Sequence, residues 1–469
     1  MPGRQLPSSR QELHRLSAAV PLPQRGDLAR GLRPSWPDGH SRRDGPAPPH
    51  RRATGGTSDP MAGREPGAGT VPVCRAVQRA RNLPAASARS AEEEHAMTPP
   101  RVCHLIHHLR VGGAETLLAE LLPALAQAGF DVAAVCLDER GPLFDALRDR
   151  GIPGYCIGRK PGLDPAAVWR LARLLRRLRV DVLNTHSFSA GFWGRIAALL
   201  ARTPRVVTTV HTVAGWSQPL KQRLGNRLLR PWTDRIVAVS ESVRRSLLAQ
   251  GTPGGLVQVI HNGIRGERLR RAADPAKERK RLGLPPEGPL IGMIGRCSPE
   301  KGGADWIRAV ALLARARVDA RGVLVGDGPE RAAWQALAAA EGVAERICFV
   351  GEQADIVPWL AVFSVLVCPS LQESFGLAAL EAQAAGVPVV ATRVDGFLET
   401  LHDGEDALLV EANSPASLAE AIRALLWSEE LVCALTAAGR RNAARFSIER
   451  AAEQYAALYR ELLTAGERR

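Results

Sequence analysis

Between Val365 and Thr392 the chain alternates in a way that few folds accept. A short apolar run, Val365-Leu366-Val367-Cys368, is followed by the polar turn Pro369-Ser370-Leu371-Gln372-Glu373-Ser374-Phe375-Gly376. A run of small and apolar residues with helical character comes next, then Gly386-Val387-Pro388-Val389-Val390-Ala391-Thr392. Two strands buried on both faces, joined through a helix, can only pair in parallel, because a hairpin has no room for the crossover. Strands are expected at Val365 to Cys368 and Val387 to Ala391. The same rhythm fills the second half, with strands at Leu290 to Ile294, Arg321 to Val325, Ile347 to Phe349 and Ala407 to Val410. It also fills the first half, with Val102 to Ile106, a helix from Thr116 to Ala128, and Val132 to Leu137. Further strands there end at His186 and His211, followed by Arg235 to Ser240 and Val257 to Ile260. Alternating strands and helices of this kind predict an α/β protein with two doubly wound, Rossmann-like sheets.

In open parallel sheets, ligands collect where strands end and helices begin. The turn before Leu377 puts the unpaired N–H groups of Phe375, Gly376 and Leu377 at such an end, where they suit a phosphate. Glu373 stands at that edge, and Glu381 lies eight residues on, about 12 Å along the axis at roughly 1.5 Å per residue. Two acids flanking an anion site suit a nucleotide sugar, with its ribose at one end and its hexose at the other. After Leu290 to Ile294 comes Gly295-Arg296-Cys297-Ser298-Pro299-Glu300-Lys301-Gly302. Arg296 supplies a planar fork and Lys301 a point charge, a pair able to clamp both phosphates of a departing nucleoside diphosphate. Gly112-Gly113 occupies the first strand-to-helix turn, where the lack of side chains lets the backbone approach a substrate. No Asp-x-Asp pair occurs in the sequence, so metal-independent chemistry with no cofactor is expected.

From about Arg101 to Leu463 the sequence resembles the retaining glycosyltransferases of family 4. The resemblance rests on Glu373 and Glu381 in their E-x7-E signature, on Phe375-Gly376-Leu377 between them, and on Gly386-Val387-Pro388-Val389-Val390 after them. It implies the two-domain GT-B fold and a last helix, Ile448 to Leu463, that crosses back onto the first domain. It implies a nucleotide diphosphate sugar as donor and Arg296 and Lys301 as diphosphate ligands. Glu373 would hold sugar hydroxyls, Glu381 the ribose, and Gly112-Gly113 the donor phosphate. His211 resembles the family histidine beside the reacting hexose, and His186 on the neighbouring strand is a candidate for shaping the acceptor site. Gly326-Asp327-Gly328-Pro329 is expected to border the nucleotide. Glu399 stands where relatives have Gly-Gly-x-x-Glu, although Phe397 replaces a small residue nearby. The implied activity is hexosyl transfer in polysaccharide or glycolipid assembly, with an acceptor that is lipid-linked in some relatives. A sugar-nucleotide epimerase of the same fold and a non-catalytic binder of nucleotide sugars or nucleic acid are the competing readings.

The boundaries follow composition. Residues 1–97 are rich in Pro, Gly, Arg and Ser, cannot bury enough apolar surface to offset chain entropy, and are expected to be disordered or a mis-assigned start before Met97. An acceptor domain at 98–265, a linker at 266–287, a donor domain at 288–446 and the crossing helix at 447–469 complete the division. The net charge of +14 invites a nucleic-acid reading, but no zinc-finger spacing or RNA-binding aromatic motif accompanies it. Two basic amphipathic stretches, Val168 to Arg179 and Pro219 to Trp232, are read first as domain helices with a solvated basic face, with contact to an anionic membrane surface as the alternative. None of the eight cysteines forms a C-x-x-C pair, which fits buried thiols in a reducing compartment. No apolar run reaches the roughly 20 residues of a membrane span. The expected location is cytoplasmic, in places resting on the membrane.

Overall fold

A computed structural model describes residues 98–213, 220–270 and 274–465; the extension expected at 1–97 lies outside the described residues. Seven strands form the first sheet: β1 (Arg101–Ile106), β2 (Asp131–Cys136), β3 (Gly154–Cys156), β4 (Val182–His186), β5 (Arg205–Val210), β6 (Arg235–Ala238) and β7 (Val257–Val259). Six form the second: β8 (Leu290–Ile294), β9 (Arg321–Val325), β10 (Ile347–Gly351), β11 (Val365–Cys368), β12 (Val389–Thr392) and β13 (Leu408–Val410). The orders are β3-β2-β1-β4-β5-β6-β7 and β10-β9-β8-β11-β12-β13, and the ladders between neighbouring strands are parallel. The two-domain α/β fold expected from the sequence is the fold found.

The differences have local causes. β3 went unforeseen because it is three residues long, half-buried, and carries no apolar run. β12 begins at Val389, not Val387, since Pro388 has no N–H to give to a ladder. Gly386 ends the preceding helix in the left-handed region (φ 83°), and the Val387 amide closes back on the Ala382 carbonyl at 2.9 Å. The first helix starts at Gly113, three residues earlier than expected, because Gly112 takes the cap position in extended conformation. From Ser414 to Leu426 the sequence also reads as a helix with a serine cap and proline at its first position; Ser414 holds the cap position of Pro415–Trp427, but its hydroxyl bonds Ser417 Oγ and not a backbone amide.

Each sheet is covered by helices on both faces. In the first domain, Leu118, Leu121, Leu122 and Leu125 of Gly113–Gln127 are fully buried. The last helix, Ile448–Thr464, joins that same core through Tyr455, Ala456, Leu458 and Tyr459. It reaches the first domain from the second, where Glu429–Ala443 packs on Leu377–Ala385. Asn442 fixes that packing by donating to Gln383 Oε1 (2.9 Å) and to the Thr400 carbonyl (2.7 Å). Both strand orders reverse direction at one place, β1/β4 in the first sheet and β8/β11 in the second. The turns that leave β1, β8 and β11 carry Gly112-Gly113, Arg296 and Lys301, and Glu373 to Gly376, whereas His211 follows β5, Asp327 follows β9 and Glu399 follows β12.

Candidate active site

The turn after β8 is fixed by glycines that nothing else can replace. A methyl group on Gly326 would lie 1.9 Å from the Gly295 carbonyl oxygen, and one on Gly328 would lie 2.3 Å from that of Cys297. The turns after β8 and β9 therefore interlock, with Cys297 donating to the Asp327 carbonyl at 2.9 Å. Asp327 itself is held by Arg331 (2.7 Å) and by the Gly328 amide (2.7 Å), so this segment buttresses the turn that carries Arg296. Arg296 is exposed and takes no partner among the described residues. It lies near enough to Glu115 of the first domain to pull down a carboxyl that burial raises.

Lys301 Nζ contacts Glu373 Oε2 at 2.6 Å. Burial alone would raise the Glu373 carboxyl, yet the Lys301 ammonium and the Ser374 and Phe375 amides hold it below its ordinary value. Burial would likewise lower Lys301, and Glu373 carries it above its ordinary value instead. The loops bearing the two are joined by the amides of Leu371 and Gln372, which donate to the Glu300 carbonyl at 2.8 and 3.3 Å. The expected row of free amides is shifted by this arrangement. The Phe375 amide is engaged by Glu373, and the Phe375 ring is buried between His261 and Phe446. Among the described residues, the amides of Gly376, Leu377 and Ala378 take no partner, and Gly376 (φ 92°) leaves the helix without a side-chain cap.

Across the cleft, Gly113–Gln127 also begins behind a glycine with no side-chain cap. A methyl on Gly113 would lie 3.6 Å from Leu377 Cδ1. The Glu115 carboxylate takes its own amide on the first turn of that helix, so the open amides of the site are those at the start of Leu377–Ala385, where the helix dipole adds about half a positive charge. Glu381 lies further along Leu377–Ala385, toward the linker helix Gly266–Leu269. Burial pushes its carboxyl up to about 7, with Glu120 adding to the rise and Arg268 opposing it.

His211 follows β5 and lines a cavity of about 530 Å³ with Thr212, Arg195, Arg227 and Arg230. Arg195 is 2% exposed; it donates to the Gly191 carbonyl and to Asn226 Oδ1, and no carboxylate pairs with it among the described residues. Burial lowers its guanidinium to about 10. His186 is not on this surface. It is fully buried, with its ring nitrogens 2.9 Å from His104 and 2.9 Å from His211, so it stands behind His211.

Glu399, whose role the sequence left open, reaches across the domains. It accepts from the Glu241 amide (2.8 Å) and the Ser242 amide (3.3 Å), the first turn of Glu241–Ala249, and pairs with His261 Nε2 at 2.7 Å. The Val213 amide donates to Ser374 Oγ at 3.0 Å in the same seam. Glu120, bound by Arg150, Arg265 and Arg268, ties the first domain to the linker, and Arg268 continues to Asp355 at 2.8 Å. The roles of Glu120 and Arg268 carry no sequence signature, since each is one charged residue in an ordinary helix.

Residues 111–268 match the family described as Glycosyltransferase Family 4, and residues 288–428 match Glycosyl transferases group 1. A D-inositol 3-phosphate glycosyltransferase of Streptomyces bingchenggensis is 31% identical, over 76% of this chain and 76% of its own. A 2-deoxystreptamine glucosyltransferase of Streptomyces kanamyceticus is 32% identical, over 69% of this chain and 88% of its own. The Anabaena protein Alr3699/HepE, solved in complex with UDP-glucose, superposes with a TM-score of 0.68 at 22% identity, covering 77% of this chain and 99% of that one.

Proposed function

Because the chain belongs to glycosyltransferase family 4, with the GT-B fold, we propose that it moves a hexosyl unit from a nucleotide diphosphate sugar to an acceptor hydroxyl with retention of configuration. One observation supports this reading: the open amides at the start of Leu377–Ala385 lie in the same site as the exposed Arg296 and the Lys301–Glu373 pair. That is an arrangement for a diphosphate whose charge grows as its bond to the sugar breaks. The electron pair of the anomeric C–O bond passes to the β-phosphate oxygen, where Arg296, Lys301 and the Gly376 and Leu377 amides receive it. The acceptor oxygen bonds the anomeric carbon on the same face, and its proton goes to the departing phosphate. Glu373 holds hexose hydroxyls and Glu381 the ribose. Charge neutralisation by these groups leaves no step that requires a metal.

The relatives are named for different acceptors, so the acceptor class is read from the cavity at His211. A buried arginine without a carboxylate, joined by Arg227 and Arg230, favours an acceptor bearing phosphate or carboxylate. The apolar face of Pro165–Arg177 is packed inside the first domain through Val168, Leu171 and Leu175. Its exposed Arg173 and Arg177 are left for salt-sensitive contact with an anionic surface, whereas Arg170 is held by Asp164 and the Ile157 and Gly158 carbonyls. No helix among the described residues is long and apolar enough to cross a membrane.

A donor panel tests the reading. Release of nucleoside diphosphate from one sugar nucleotide, undiminished by chelator, is expected. Lys301→Ala should lower turnover by roughly 10²–10³-fold while circular dichroism stays unchanged. Turnover equal to the parent would refute the clamp.

A further inference from the structure

Behind His211 runs a single line of hydrogen bonds, all on the face of the first sheet that Ile448–Thr464 covers. Thr209 Oγ1 donates to Asn184 Oδ1 at 3.0 Å, and Asn184 Nδ2 donates to the Tyr459 hydroxyl at 2.8 Å. An amide nitrogen cannot accept. The one proton of Tyr459 must therefore go to its other neighbour, His104 Nε2, at 3.2 Å. His104 Nδ1 stands 2.9 Å from His186 Nε2, and His186 Nδ1 stands 2.9 Å from His211 Nε2. The three rings lie nearly parallel, with centroids 5.2 Å apart at each step.

A neutral imidazole has one proton and one lone pair. Once His104 Nε2 accepts, its proton sits on Nδ1, and the same choice passes to His186 and then to His211. A second proton anywhere in the row would set two N–H groups against each other. Burial opposes it, lowering His104 to about 3 and His211 to about 4, with His186 well below its ordinary value. His211 Nδ1 has no partner among the described residues, and the ring lines the cavity.

We propose that Tyr459 and Asn184, acting through His104 and His186, lock His211 in the tautomer that carries its N–H on Nδ1, the nitrogen facing away from the row. His211 is then a fixed hydrogen-bond donor to an oxygen of bound sugar or acceptor and cannot act as a base. Tyr459, Asn184, His104 and His186 are positioning residues. Because Tyr459 belongs to the crossing helix, the docking of that helix sets the polarity of the site. This deepens the transfer reading and rests on it for its chemical use, but the tautomer itself does not.

The test is ¹⁵N-histidine NMR on the full chain at neutral pH, with His211→Gln used to assign the signal. His211 is expected to carry its proton on Nδ1, with Nε2 bare. Tyr459→Phe should mix the two tautomers of His211 and lower turnover by roughly 10–100-fold. Asn184→Asp, which turns the Tyr459 proton toward itself, should move the His211 proton to Nε2 and serves if Tyr459→Phe does not fold. A parent protein protonated on Nε2, or variants that leave the tautomer as it was, would overturn the proposal. Failure to bind any sugar nucleotide would overturn the transfer reading while leaving the tautomer result standing.

Discussion

At the residue level, Glu381 has the most to gain from a ligand. Its carboxyl is raised to about 7 by burial, with Arg268 only partly offsetting the effect, so near neutrality the free protein holds it about half protonated. Ribose hydroxyls donate more strongly to the ionised form. Binding of an intact sugar nucleotide, whose diphosphate diester does not titrate in this range, should weaken as pH falls below 7, by up to about tenfold per unit. Isothermal calorimetry between pH 8 and 5.5 reads this directly; Glu381→Gln should bind less tightly and show no such slope, and a parent slope of zero would exclude the role. The spacing of Glu373 and Glu381 was readable from the chain alone. Their difference in charge state was not, because it comes from burial of Glu381 and from Lys301 beside Glu373, a residue 72 positions away.

At the level of elements, the strands and helices follow the apolar periodicity, and the misplacements trace to Pro388, Gly386, Gly112 and the weakly apolar β3. The histidine row shows what periodicity conceals. His104, Asn184, His186 and Thr209 sit inside buried strands, and alternation places them on one face, but no sequence rule says that Tyr459 will meet them. The row should mark acid stability. The unfolded chain takes up protons on these histidines near pH 6.5, whereas the folded chain refuses them until about 4 for His211 and about 3 for His104. Each depressed histidine therefore costs stability as pH falls below 6.5, up to about 1.4 kcal/mol per unit. Glu381 acts oppositely, its stabilising proton being lost as pH rises through about 7. Thermal unfolding midpoints should drop steeply between pH 6.5 and 5, and His104→Gln should flatten the drop. A parallel pair of curves would show that the row does not control it.

For the molecule as a whole, function depends on how the two domains face one another across the cleft. Glu399 caps Glu241–Ala249 from the opposite domain, and burial, which would raise its carboxyl, is outweighed by His261 and the two amides. Glu399→Ala removes this bridge while Ser240 keeps its own cap through the Val243 amide. A modest loss of about 1 kcal/mol should accompany a larger radius of gyration in solution scattering; an unchanged scattering profile would assign the closed arrangement to the Glu120–Arg268–Asp355 ties instead. Two doubly wound sheets, the turns at their strand ends and the carboxylates, cations and glycines in those turns are consequences of local order along the chain, since apolar runs, glycine and proline act within a few residues. Which amides stay open, which acids keep their protons, that His186 stands behind His211, and that Glu399 joins the domains are consequences of burial and of contacts between distant segments. Those depend on where the chain returns in space, and only the packed fold supplies that.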